Sequence, residues 1–165
     1  MSASEANPML TVKDVMVKKV VTVESDQTAQ HAATLMGGHR IGCLVVQMEN
    51  KVVGIVTERD LLNRVLAIAA DPEKTLVKQI MSKPVVTVKP DVELEAAVEL
   101  MFKHRIKKLP VVEEREGKSV LVGLVTLTDV ARLHPALIKT LKKLFQMIGE
   151  APPKSIEKVM NYYIV

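Results

Sequence analysis

Residues 12–46, VKDVMVKKVVTVESDQTAQHAATLMGGHRIGCLVV, return in a second version at 77–111, VKQIMSKPVVTVKPDVELEAAVELMFKHRIKKLPV. At this offset of 65 residues, 17 of the 35 aligned pairs are identical, so the chain reads as a tandem duplication. Val20-Val-Thr-Val23 recurs as Val85-Val-Thr-Val88, Asp26 as Asp91, Leu35-Met36 as Leu100-Met101, and His39-Arg-Ile41 as His104-Arg-Ile106. Beyond Val46 the offset becomes 69, which aligns Gly54-Ile-Val-Thr57 and Asp60 with Gly123-Leu-Val-Thr126 and Asp129. Four residues are inserted between the two stretches.

The insertion falls between pairs of short β-branched runs, Leu44–Val46 and Val52–Val53 in one repeat, Leu109–Val112 and Val120–Val122 in the other. The polar connectors Gln47–Lys51 and Glu113–Ser119 are therefore expected to be hairpin loops, where length varies at little cost. Upstream, Asp26 is placed to cap a helix with the apolar face Ala29, Ala32, Ala33 and Met36, and Asp91 one with Leu94, Ala97, Val98 and Met101. Thr57 and Thr126 each begin a second helix. Every unit thus reads β-α-β-β-α, an α/β (α+β) fold. About 60 residues with so little aromatic mass make a marginal core, so the units are expected to pack through their sheets. The boundaries expected are a leader at 1–9, repeats at 10–70 and 75–134, and a helical extension at 135–165.

Composition narrows the function. Hydrophobic residues make up 48% and charged residues 25%, the balance of a globular domain rather than a disordered chain. Aromatics are only 2%, which argues against a stacking platform for single-stranded nucleic acid. A single cysteine, Cys43, makes no internal disulfide, and four histidines without companion cysteines give no zinc spacing. No apolar run exceeds six residues, against roughly 20 for a membrane span. Met1–Pro8 lacks the basic start and apolar stretch of a secretory signal, so a cytoplasmic protein is expected. No nucleophile has a general base beside it and no Gly-rich phosphate loop is present, so no catalytic residue is assigned and an enzyme is not expected.

The ordered set V-x-x-h-M, V-V-T-V, a helix, H-R-I-x-x-L-x-V and G-h-V-T-x-x-D, carried twice over residues 10–134, resembles a pair of CBS domains (cystathionine-β-synthase domains, a Bateman module). The resemblance implies a regulatory module that senses AMP, ADP or ATP between its repeats and responds by a conformational or dimer change. An S-adenosylmethionine sensor is the alternative ligand reading. A homodimer is expected.

Thr57-x-x-Asp60 and Thr126-x-x-Asp129 have two readings. A Thr followed three residues later by an acid forms a helix capping box. The glycine before it also admits a close neighbour, and free N–H groups at a helix start attract phosphate. In adenine-nucleotide CBS pairs the Asp holds the ribose and the hydroxyl contacts ribose or phosphate, roles the resemblance carries to Asp60, Asp129, Thr57 and Thr126. His39-Arg40 and His104-Arg105 either place cations at a helix C-terminus or, as in some nucleotide-sensing relatives, reach phosphates. The resemblance sets Asp129 and Thr126 opposite Val20, Val21, Ile41, Gly42 and Cys43, and Asp60 and Thr57 opposite Val85, Val86, Ile106, Lys107 and Lys108. Lys107-Lys108 would favour more phosphates, or are a solvated surface pair. Cys43 reads first as a small buried hydrophobe.

Leu137, Ile138, Leu141, Leu144, Phe145 and Ile148 form one helical stripe, packed on the module or on a second copy, or presented to an anionic membrane or a partner. Residues 131–165 carry six basic and two acidic side chains, the whole of the formal net charge of +4. A nucleic-acid or protein adaptor acting through this basic tail is the competing function.

Overall fold

The computed structural model describes residues 10–133, 136 and 139. The leader, His134 and the amphipathic stripe expected in the tail lie outside the described residues. The chain is a mixed α/β protein built of the two repeats. It divides into two compact units, one gathering the described residues up to Val17 with Val88–Val111 and Gly123 onward, the other Lys18–Thr87 with Val112–Val122.

In the second of these, β1 (Thr22–Glu24) pairs in parallel with β2 (Cys43–Met48), which pairs antiparallel with β3 (Lys51–Thr57). The crossover from β1 to β2 is α2 (Ala29–His39). Cys43 to Val46 are all buried, which suits a central strand covered on both faces. The core joins Val23, Ala29, Ala32, Met36, Leu44, Val46, Val56 and Val65 to Val77 and Ile80. These last two belong to α4 (Val77–Ile80), a one-turn helix that the repeat pattern does not announce. Its counterpart at the offset of 65 is α1 (Val12–Val15), whose Val12 and Lys13 amides donate to the carbonyls of Val92 and Pro90, residues of the second repeat within the same unit. Val77 and Lys78 donate to Gln27 and Ser25 in the matching way. Each one-turn helix therefore lies with residues of the repeat to which it does not belong in sequence.

The first-named unit holds α5 (Leu94–Lys103), α6 (Leu127–Leu133) and the base of the hairpin formed by β4 (Lys108–Arg115) and β5 (Lys118–Thr126). Leu94, Ala97, Val98 and Met101 are buried, the face expected of α5. The first strand expected here, Val85–Val88, is reduced to one parallel bridge between Val88 and Val111. Pro84 and Pro90 flank it, and a proline has no N–H to give to a ladder.

Four further expectations need correction. The cap of α2 is Thr28, whose Oγ1 accepts from the His31 amide at 3.1 Å, and Asp26 lies too early to do it. On α5 the cap position is Glu93, not Asp91, and no side chain caps it. The Leu10 carbonyl takes the Leu94 amide there, as the Thr75 carbonyl takes that of Ala29. Ala33 is exposed rather than part of the buried face. Finally, the connectors are two-residue turns, Glu49-Asn50 and Glu116-Gly117, all with positive φ as tight hairpins require. The strands run further than the sequence suggested: β2 and β3 have 6 and 7 residues, β4 and β5 have 8 and 9. The inserted residues lengthen the hairpin and leave its turn unchanged.

Candidate functional site

Thr57 ends β3 and opens α3 (Glu58–Leu61) from an extended conformation. Its amide and hydroxyl both donate to Oδ2 of Asp60, at 2.8 and 2.7 Å, and its oxygen accepts from the Asp60 amide at 3.3 Å. In the other unit the Thr126 hydroxyl donates to Asp129 Oδ2 at 2.6 Å and accepts from the Asp129 amide at 3.1 Å. Thr57 and Asp60 thus form a full helix capping box, and at Thr126 the hydroxyl makes the same exchange with Asp129. The threonine also fixes the carboxylate, because one oxygen is committed to the cap and the other is free of it.

What meets that second oxygen differs. Asp60 is 8% exposed, and its Oδ1 lies 3.5 Å from the Ser82 hydroxyl and 3.3 Å from Nη1 of Arg64. The same Nη1 donates to the carbonyls of Ile80 at 2.5 Å and Met81 at 3.1 Å. Arg64 sits in a stretch of π-helix, Leu62–Leu66, that continues α3, marked by the Ala67 amide reaching back five residues to Leu62. Such widened turns are frequent at functional sites. At the equivalent places near Asp129 stand Val17 and Leu133, neither of which carries a polar side chain. Among the described residues Asp129 has no side-chain partner besides Thr126.

The glycine in each motif admits the chain itself. A Cβ on Gly54 would stand 2.6 Å from Sδ of Met81 and 3.1 Å from the Ser82 carbonyl oxygen, and one on Gly123 would stand 2.5 Å from Sδ of Met16 and 3.1 Å from the Val17 oxygen. Ile55 and Ser82 exchange backbone hydrogen bonds, as do Leu124 and Val17. The Met of V-x-x-h-M therefore rests on the glycine of G-h-V-T, which explains why the two motifs travel together in this chain.

The H-R-I triplets end helices. Arg40 and Arg105 adopt left-handed backbone with φ of 54° and 55°. Ile41 and Ile106 donate five residues back to the carbonyls of Met36 and Met101, and Arg40 and Arg105 donate to those of Gly37 and Phe102. This is a Schellman-type stop, with Ile41 packed on the core that includes Met36. His39, Arg40, His104 and Arg105 are all exposed. One structural job thus accounts for the triplet in both repeats, and it leaves four cationic or titratable side chains in solvent.

Of the remaining candidates, Val20, Val21, Ile41, Gly42, Val85 and Val86 are half-buried and Cys43 is buried, all in the unit that holds Asp60. The Glu58 carboxylate lies over Gly42, about 3.0 Å from where a Cβ would be, and the Glu58 amide donates to the Gly42 carbonyl. Ile106, Lys107 and Lys108 belong to the unit of Asp129, where the Lys107 carbonyl accepts from the Leu127 amide. Sequence reading missed Ser82, Arg64 and Glu58. The i, i+4 spacing of Asp60 and Arg64 was the available signal for one of them. A groove of about 430 Å³ runs between α2 and α3, lined by Ala33, Gly37, Arg40, Glu58, Leu62 and Leu66 among others. Leu62 and Leu66 are 56% and 69% exposed. Among the described residues no cluster of His, Cys, Asp or Glu fits a metal ion, and no helix is long and apolar enough to cross a membrane.

Comparison with known proteins agrees with this architecture. The chain is 39% identical over 123 residues to the CBS domain-containing protein YhcV of Bacillus subtilis, covering 74% of this chain and 84% of that one. The solved CBS domain pair of protein MJ0100, in complex with 5-methylthioadenosine and S-adenosyl-L-methionine, is 31% identical with a TM-score of 0.66, over 78% of this chain and 98% of that one. A hexameric CBS-CP12 protein from bloom-forming cyanobacteria is 26% identical with a TM-score of 0.70, over 96% and 98%. The CBS domain family matches residues 12–67 and 77–135. With both repeats matched and the Thr-x-x-Asp helix start present in each, the chain belongs to the CBS-domain family.

Proposed function

We propose that the chain is a regulatory module, not an enzyme, that binds an adenosine-containing ligand such as AMP, ADP or ATP and passes its occupancy on through conformation or dimer arrangement. The observation that carries this reading is the repeated Thr–Asp pair at the start of α3 and α6, each holding one carboxylate oxygen in the cap and leaving the other clear of it. A carboxylate accepts hydrogen bonds only, which suits the two adjacent hydroxyls of a ribose. Signalling requires that the ligand bind one arrangement better than another. The apolar groove edged by Leu62 and Leu66, with Arg40 and Glu58 at its margin, supports a second copy as the element that moves. A single buried cysteine supports a reducing, cytoplasmic setting.

The test is calorimetric titration of nucleotide-stripped protein with AMP, ADP, ATP and S-adenosylmethionine. Saturable heat with an adenine nucleotide is expected; silence from every ligand overturns the reading. S-adenosylmethionine is the second candidate, favoured by the ligands of the similar MJ0100 pair. Arg40→Gly and Arg105→Gly keep the left-handed helix ends while removing the guanidinium, so they separate structure from phosphate contact. Both variants should melt no lower than the parent and bind ATP less tightly, with adenosine unaffected. The adaptor alternative predicts instead a salt-sensitive nucleic-acid complex that is lost on deleting residues 136–165.

A further inference from the structure

Asp60 and Asp129 end the same motif, but among the described residues only Asp60 already has a cation on its second oxygen. Arg64 reaches it from the π-helical stretch at 3.3 Å while holding the carbonyls of Ile80 and Met81, and Ser82 stands on the same oxygen at 3.5 Å. Both oxygens of Asp60 are thus engaged within the chain. A ribose hydroxyl approaching Oδ1 must displace or share a charge-assisted contact, whereas at Asp129, flanked by Val17 and Leu133 in the equivalent places, it meets no such competitor among the described residues.

We propose that Arg64 is an internal competitor for the ligand at Asp60 and so sets the order in which the two aspartates are used. Asp129 is the first acceptor of a nucleoside's hydroxyls, and Asp60 takes a second ligand only when Arg64 lets go. The occupant of Asp60 at low ligand concentration is the protein's own guanidinium. When a ligand replaces it, Arg64 also releases the carbonyls of Ile80 and Met81, and Met81 is the residue whose side chain rests on Gly54. Filling Asp60 therefore loosens the hold of α3 on the chain that follows α4.

This inference rests on the nucleotide reading, and one experiment separates the two. Stripped wild-type protein, Arg64→Ala, Asp129→Ala and Asp60→Ala are titrated with AMP by calorimetry. The wild type should show a tight and a weak step. Asp129→Ala should remove the tight one and Asp60→Ala the weak one. Arg64→Ala should tighten the weak step about tenfold, which corresponds to about 1.4 kcal/mol. That sign is diagnostic, since structural damage from losing Arg64 would weaken binding. Arg64→Lys, which keeps the charge without the guanidinium's fork of donors, should fall between the two. A weak step unchanged or weakened in Arg64→Ala, a tight step lost in Asp60→Ala, or equal steps in the wild type overturns the role of Arg64 while leaving the nucleotide reading standing. Absence of heat with AMP, and with ADP, ATP and S-adenosylmethionine after it, overturns both.

Discussion

Around Asp60 the chain has placed Ser82 and Arg64; around Asp129 the same two places hold Val17 and Leu133. The caps themselves are closely alike, with threonine hydroxyl to carboxylate distances of 2.7 and 2.6 Å. Glu58 and Gly42 in one unit answer to Leu127 and Lys107 in the other, so an acidic side chain in one copy is replaced by a basic one close by in the other. The comparison separates two demands on a duplicated motif. Starting a helix needs a hydroxyl and a carboxylate at fixed spacing, and both copies have them. The residues around the second oxygen are not needed for the cap, and there the copies have become chemically different.

The strongest test of the shared part is the glycine pair. Gly54→Val and Gly123→Val each drive a side chain against a methionine and a backbone carbonyl that sits 3.1 Å away, and each should cost about 1–3 kcal/mol by thermal or denaturant unfolding. Equal losses are expected from the matched contacts, and a tolerated valine at either place would contradict them. The unequal part predicts unequal losses. Asp60→Asn puts an amide N–H₂ or a weakened acceptor against Arg64 and should cost about 1–2 kcal/mol, with Asp129→Asn costing about half as much. A larger loss at 129 would contradict the reading of the two environments. The caps of the first helices give a smaller contrast. Thr28→Ala removes a hydroxyl that accepts from His31 and should cost about 1 kcal/mol, while Glu93→Ala, at a position without a side-chain cap, should lie within about 0.5 kcal/mol of the parent.

The smallest effect lies at α1. The Thr11 amide, and after it the Thr11 hydroxyl, donate to Asp14 at 2.8 Å and hold its carboxyl below the usual aspartate range. A lowered folded pKa means that the contribution of Asp14 is complete above its unfolded pKa and disappears as the pH falls through the folded one. At α4 the matching bond runs from the Leu76 amide to Gln79, which does not titrate. NMR titration of Thr11→Val should move the Asp14 midpoint upward; a midpoint that stays in place removes the hydroxyl from the account. Only α1, of the two one-turn helices, should loosen in acid.

Much of this was readable from spacing. The duplication, the threonines that open α3 and α6, and the buried face of α5 all follow from local periodicity. The choice of Thr28 over Asp26 did not, because two good capping residues lie two positions apart and only the backbone carbonyl of Thr75 decides where α2 starts. The π-helical stretch was hidden among Leu61, Leu62, Val65 and Leu66, which suit any helical pitch. Ser82 was hidden for another reason, since nothing local to SKPVV reports that it lies against Asp60. Contacts between distant segments leave their trace only as pairs of motifs, and Met81 with Gly54 was such a pair.

The exchange of the one-turn helices has a consequence in time. Residues 11–17 leave the ribosome long before Val92 and Leu124, to which their backbone hydrogen bonds run. Val77 and Lys78, by contrast, find Gln27 and Ser25 already made. Most of the unit around Asp60 can therefore close while synthesis continues, and the segment carrying Met16 must wait, unpaired, for the second repeat. Early-made chain is placed late, and the nascent protein carries an exposed Val12-Lys-Asp-Val-Met16 until its partner arrives.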